Sequence, residues 1–105
     1  MTNKRPSFSI CIKMMRSKDP QTQEDGFHCL LPQASAFVNE LIKEFNEVQN
    51  DLGLKCWLME LIAEAKHEDA FEFLARFARD EDSSVRSWAR EGLKYLDTKE
   101  ARSVL

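Results

Sequence analysis

The side chains best suited to chemistry in this 105-residue sequence are its cysteines and its two histidines. Cys29 directly follows His28, but successive helical residues point about 100° apart, so the two are not arranged as nucleophile and base. Neither His28 nor His67 belongs to a Cys-x-x-Cys or His-Glu-x-x-His sequence, the usual spacing of zinc ligands. We therefore expect no catalytic residue and no metal site. His28 is predicted to be a partly buried helix residue and His67 a turn residue.

The three cysteines, Cys11, Cys29 and Cys56, are an odd number and stand among apolar neighbours. This pattern favours buried, reduced thiols over a disulfide framework, and we expect the three to be unlinked in separate packing units. No Gly-x-Gly or Gly-Lys-Ser/Thr string occurs, so no nucleotide cofactor is expected. The chain also lacks a membrane-spanning apolar run and a secretory h-region. Together these features predict a soluble, cytoplasmic protein.

Charge is distributed unevenly along the chain, although the formal net charge is only -3. The first 18 residues contain no acidic residue, and the remainder carries eighteen acidic against ten basic residues. So acidic a surface repels phosphate backbones, which makes nucleic acid an unfavourable partner. A basic protein partner is expected instead. The basic residues of the first segment are Lys4, Arg5, Lys13, Arg16 and Lys18.

The acid-free N-terminal segment loosely resembles a mitochondrial transit peptide, but its apolar residues follow a helical period. Phe8, Cys11, Ile12 and Met15 stand at i, i+3, i+4 and i+7. This spacing predicts that residues 7–18 form a helix of the protein core. A free basic arm is the alternative.

Three glycines and three prolines leave little room for the tight turns of an all-β fold, so the sequence indicates an all-α domain. Shifting the chain by 31 or 32 residues aligns Asp19, Asp51 and Asp82, and Trp57 aligns with Trp88. After each aspartate, apolar or small residues follow at +3, +7 and +11, a helical stripe. We therefore predict repeats over residues 19–48, 51–79 and 82–105, preceded by an incomplete unit at 7–18.

Each repeat is predicted to contain two helices. Pro32 should end the first helix of the first unit, and the second helix should cover residues 34–48. In the second unit the helices should cover 51–65 and 68–79. In the third, Glu100 is predicted to close a capping box on an Asp97 or Thr98 cap, which restarts a helix that turns Ala101, Val104 and Leu105 inward.

The string from Asp82 to Ala89, followed by Gly92-Leu93 and by Asp97 to Ala101, resembles the HEAT-like repeat family. The resemblance implies a right-handed α-solenoid in which first helices form a convex side and second helices line a concave side. Asp25 and Gly26 replace large apolar residues in the first unit, which predicts looser stacking there. Trp57 and Trp88 are expected to pack between repeats.

The outward positions of the second helices are the candidate binding surface. Their charges have two interpretations: a solvated face with i,i+4 pairs such as Glu72 to Arg76, or a recognition surface. The Phe71/Phe73 edge becomes an exposed anchor if packing does not cover it. The candidate protein-binding residues are Glu40, Glu44, Glu47, Glu68, Asp69, Phe71, Glu72, Phe73 and Arg76, and Lys43 and Arg79 are also predicted to point outward.

These observations predict a protein-interaction module rather than an enzyme, because a short solenoid offers an extended surface and no enclosed pocket. An adaptor, or an inhibitor or immunity protein that covers a basic partner, fits the size and charge. One alternative is a nucleic-acid-binding protein that resembles the HEAT-like DNA glycosylases and uses the basic first 18 residues. Another is a structural repeat that associates with itself through its open ends.

Overall fold

Helices make up all the regular structure of residues 7–105, the part of the chain that the computed structural model describes. The predicted all-α class is confirmed. Within these residues, no helix is both long and apolar enough to cross a bilayer. The seven α-helices are α1 (Phe8–Met15), α2 (Pro20–Leu30), α3 (Val38–Glu47), α4 (Leu52–Glu64), α5 (Phe71–Phe77), α6 (Ser83–Leu96) and α7 (Lys99–Val104).

The three equivalent aspartates cap the N-termini of α2, α4 and α6. Asp19 accepts a hydrogen bond from the Thr22 backbone N–H, and Asp51 and Asp82 accept from the residues at the same spacing, at 2.9–3.0 Å. These bonds satisfy donors that a helix start otherwise leaves without a partner. The residues at +7 and +11 are buried in all three helices: Gly26, Leu30, Leu58, Ile62, Ala89 and Leu93.

The second helix of the first unit begins four residues later than predicted. Pro32 cannot continue α2, and residues Leu31–Phe37 form 3-10 turns instead. Gln33 leaves the helical region at φ −119°, and its side chain donates to the Cys29 carbonyl at 3.0 Å. The backbone leaves the helical region again at Phe37, at φ −121°, so the regular α-helix begins only at Val38. A shorter 3-10 segment, Glu68–Ala70, leads into α5.

The last turn also differs in detail from the prediction. Asp97 adopts a left-handed conformation at φ 50° and ends α6, and the Thr98 hydroxyl then accepts from the Ala101 N–H at 3.0 Å. The predicted capping box is wrong. Thr98 is the N-cap, so Glu100 is the second residue of α7, whereas a capping box needs a glutamate at the third. Leu105 lies beyond the end of α7 and is exposed rather than turned inward.

Most helix contacts join elements close together in the chain. The helices α1 and α2, α3 and α4, α5 and α6, and α6 and α7 pack pairwise, and α4 also lies along α6. A continuous core of buried side chains extends from Cys11 to Ala101. The packed body measures 45 × 34 × 19 Å. Trp57 and Trp88 are half-buried against this core rather than enclosed by it.

Gly26 lets α1 and α2 approach until their backbones touch. A Cβ atom there would lie 2.7 Å from the Cys11 carbonyl oxygen and 2.9 Å from the Met15 nitrogen. The missing side chain therefore allows a close contact with α1, which the expected loosening of the first unit did not foresee. Along the first helices, the Phe27 and Trp57 rings connect α2 to α4, with centroids 5.2 Å apart.

Candidate protein-binding surface

A cleft of about 400 Å³ lies between α3 and the beginning of α5. Four of the predicted site residues line it: Asp69, Glu72, Phe73 and Arg76. The fifth lining residue, Ile42 of α3, is half-buried and packs against the core. We call this feature the α3/α5 cleft. It combines an apolar floor with two rim carboxylates.

Three phenylalanines pack beneath the α3/α5 cleft. Phe45 of α3 meets Phe73 and Phe77 of α5 edge to face, with ring centroids 5.0 and 5.1 Å apart. Phe73 is only 5% exposed, so it supports the floor and cannot be the exposed anchor considered from the sequence. Phe71 is half-buried against the core. Packing on α3 therefore covers the Phe73 side of the Phe71/Phe73 edge.

Arg76 stacks on aromatic rings instead of pairing with Glu72. Its guanidinium carbon lies 5.3 Å from the Phe77 ring centroid and 5.9 Å from that of Phe73. The predicted Glu72–Arg76 ion pair is wrong, because among residues 7–105 neither side chain has an ion-pair partner. A planar guanidinium gains from both rings while it keeps its N–H groups in water. Glu72 therefore remains available to an external cation.

Glutamates at the i, i+4 and i+7 positions form an acidic stripe on α3. Glu40 and Glu47 are exposed, and no cation pairs with either in the described range 7–105. Glu44 is the exception, because Arg16 binds its carboxylate at 2.7 Å and joins α1 to α3. This contact uses one cation of the basic N-terminal segment within the fold. Lys4 and Arg5 lie outside the described residues.

The remaining charged positions near the cleft are exposed as predicted, namely Lys43, Glu68, Asp69 and Arg79. His67 caps the 3-10 segment, with its Nδ1 accepting from the Asp69 N–H at 3.0 Å, so its predicted turn position is confirmed. His28 is exposed and lies 3.6 Å from Glu24, so its predicted partial burial is wrong. It occupies the solvent side of α2, whereas Phe27 and Leu30 point inward.

The cysteines differ most from expectation. Cys11 of α1 and Cys29 of α2 were placed in separate units, yet their Sγ atoms lie 2.8 Å apart, with the Cys11 thiol donating. Burial, and then this hydrogen bond, raises the pKa of Cys11 to about 12. The approach of α1 at Gly26 explains the contact, because Gly26 precedes Cys29 by one helical turn and touches the Cys11 backbone. Cys56 packs against the core as expected, but it is half-buried rather than enclosed.

A further acidic group, missed in the sequence, lies on the first helices. Burial, and next the carboxylate of Glu64, raises the pKa of Glu60 on α4. Glu64 in turn raises the pKa of Tyr95 on α6, above whose ring Lys66 lies at 5.3 Å. The spacing of Glu60 and Glu64 by one turn was the available signal, but their proximity to α6 depends on helix packing.

Neither a metal-binding cluster nor similarity to known proteins identifies the function of this surface. Within residues 7–105, no group of three or more His, Cys, Asp or Glu side chains is arranged to hold a metal ion. Comparison of the chain with known protein families, curated proteins and solved structures found no match. The geometry and charge of the α3/α5 cleft and of the acidic stripe are therefore the features that point to a function.

Proposed function

We propose that this protein is a small protein-interaction module that binds a basic segment of a partner protein at the α3/α5 cleft. The role is binding rather than catalysis. An adaptor, or an inhibitor or immunity protein that covers a basic surface, is the form that suits the carboxylates of the cleft. We also propose a cytoplasmic location, because an odd number of cysteines among apolar neighbours is typical of proteins that keep their thiols reduced.

The HEAT-like, right-handed solenoid is part of this proposal. It is supported by contacts between the first helices of neighbouring units, since α4 lies along α6 and α2 also touches α4, and by the packing of α6 on α7 within the third unit. It is also supported by the three aspartate caps at equivalent positions. In such an arrangement α3 and α5 are neighbouring second helices, which is where the family resemblance implies a binding surface.

The observation that carries the proposal is the chemistry of the α3/α5 cleft. Ile42 and Phe73 offer an apolar floor, and Asp69 and Glu72 offer carboxylates at the rim. Lys and Arg side chains have this same division, with an aliphatic stem and a cationic head. Since Arg76 is stacked on phenylalanine rings, it leaves the Glu72 carboxylate free to receive the incoming cation.

The proposal can be tested with a labelled lysine- and arginine-rich peptide and an acidic peptide of equal length. We expect the basic peptide alone to shift backbone NMR signals around Ile42, Asp69 and Glu72. Glu72→Lys should weaken its binding about tenfold, because a rim attraction becomes a repulsion. Glu100→Lys, an exposed change of the same charge on α7, is the matched control.

Three results would contradict the proposal. One is equal binding of the basic peptide to both variants. Another is a set of shifted signals confined to elements other than α3 and α5. The third is preferential binding of duplex DNA at moderate salt, which would favour the nucleic-acid alternative and the basic N-terminal segment.

A further inference from the structure

The Cys11–Cys29 contact joins two helices at a point where their backbones are already held together. Cys11 is fully buried on α1, and Cys29 is half-buried on α2. Their sulfur atoms are 2.8 Å apart. Since a disulfide bond is about 2.05 Å long, the sulfurs need to approach by only about 0.8 Å to become bonded. The contact at Gly26 limits any separation of α1 from α2.

We propose that Cys11 and Cys29 form a site of reversible oxidation that takes a low-molecular-weight disulfide, such as oxidised glutathione, as its oxidant. The product is an intramolecular disulfide that links α1 to α2 within their native packing. Cys56 remains a thiol, because it makes no sulfur contact in the described part of the chain.

Exposure sets the order of the two steps. Cys29, the more accessible thiol, loses its proton and attacks one sulfur of the oxidant, forming a mixed disulfide and releasing one small thiolate. Cys11 then loses its proton and attacks the Cys29 sulfur, which releases the second small thiolate. The two protons are taken up by the two released thiolates. Overall, two protein thiols are oxidised and one small disulfide is reduced to two thiols.

The burial of Cys11 does not prevent its attack on the mixed disulfide at Cys29. Burial raises the pKa of the Cys11 thiol, which disfavours its thiolate in the resting protein and makes it a poor first nucleophile. After Cys29 has reacted, the target sulfur lies next to Cys11. The high effective concentration of this neighbour then favours closure of the ring over accumulation of the mixed disulfide.

The test uses the wild-type protein in its folded state, treated with oxidised glutathione, quenched in acid, denatured and alkylated. We expect one internal disulfide and one alkylated cysteine. Trypsin cuts at Lys13, Arg16 and Lys18, so Cys11 and Cys29 fall in separate peptides that only a bridge can join. C56S should form the same bridge as wild type, and C29S should form none. A dithiol should restore all three free thiols.

A persistent glutathione adduct on Cys29, a bridge that includes Cys56, or alkylation of all three thiols would overturn the proposal. These outcomes are read from the wild-type protein, so they stand even if C29S folds poorly. Thermal melting gives a second readout. A bridge that fits the native packing closes a loop of 19 residues and should raise the melting midpoint by roughly 10 °C. An unchanged or lower midpoint would show that the bridge distorts α1 and α2.

Discussion

At the scale of single residues, Gly26 decides how closely α1 can approach α2. Gly26→Ala places a methyl group against the Cys11 oxygen and the Met15 nitrogen, backbone atoms that move only if α1 moves. We expect a loss of about 1–3 kcal/mol in the free energy of unfolding, measured by urea denaturation. Gly53→Ala is the control, because its nearest neighbouring atom is 3.7 Å away and alanine favours the helix. Equal effects of the two substitutions would contradict this account.

Glu60 is the residue whose ionisation works against folding. Burial and the nearby Glu64 raise its pKa above the ordinary 4.5, so the folded protein holds the proton more tightly than the unfolded chain. Ionised Glu60 therefore lowers the free energy of unfolding at neutral pH. This loss is recovered as pH falls through the raised pKa and the carboxyl becomes protonated. Glu60→Gln should stabilise the protein at pH 7 by less than about 1 kcal/mol, since solvent screens a partly exposed group.

The Glu60→Gln advantage should shrink as pH falls through the raised pKa and disappear below pH 4.5, where the wild-type carboxyl becomes protonated in both the folded and the unfolded state. Thermal melting at a series of pH values measures this. Glu40→Gln, an exposed change on α3, serves as the control. A Glu60→Gln variant that is less stable than wild type at pH 7 would show that the carboxylate is favourably solvated.

At the scale of helices, the aspartate caps are the clearest local determinants of where α2, α4 and α6 begin. Asp82→Ala removes the acceptor for the Val85 N–H and should cost about 1 kcal/mol. Asp82→Asn keeps an acceptor oxygen at the same position and should restore most of this loss. Chemical denaturation of both variants distinguishes capping from a general charge effect, since the two remove the same charge. Equal destabilisation by alanine and asparagine would rule out the cap.

Features that depend on neighbouring residues could be predicted from the sequence, whereas features that depend on the path or packing of helices could not. The starts of α4 and α6 follow from an aspartate and an apolar stripe within a few turns. The late start of α3 follows from non-helical backbone at Gln33 and Phe37 after Pro32, which a helical period does not encode. The Cys11–Cys29 contact and the lining of the α3/α5 cleft depend on the angle and distance at which two helices cross. The apolar pattern of a single helix does not determine that geometry.

At the scale of the whole molecule, negative charge on a thin body should control how quickly a basic partner arrives. Reversing Glu68 and Glu72 to lysine should slow association of the basic peptide about tenfold, because exposed charges steer encounters. Stability should change little, because neither glutamate has an ion-pair partner among residues 7–105. Stopped-flow kinetics at increasing salt should show the wild-type rate falling as the charges are screened.

The matched control for this experiment reverses Glu81 and Glu100, which are exposed and change the net charge by the same amount. If both double variants slow association equally, total charge rather than the α3/α5 cleft sets the rate. If neither does, the peptide binds elsewhere on the molecule.

The packing of helices on their near neighbours in the chain also sets the speed at which the native structure is reached. Because α1 meets α2, α3 meets α4 and α5 meets α6, most contacts close short loops and require little search. Chains with such local topology refold on the microsecond to millisecond scale, far faster than sandwiches or barrels of equal length. We expect stopped-flow or temperature-jump refolding to finish within a few milliseconds, so that a newly made chain exposes its apolar stripes only briefly.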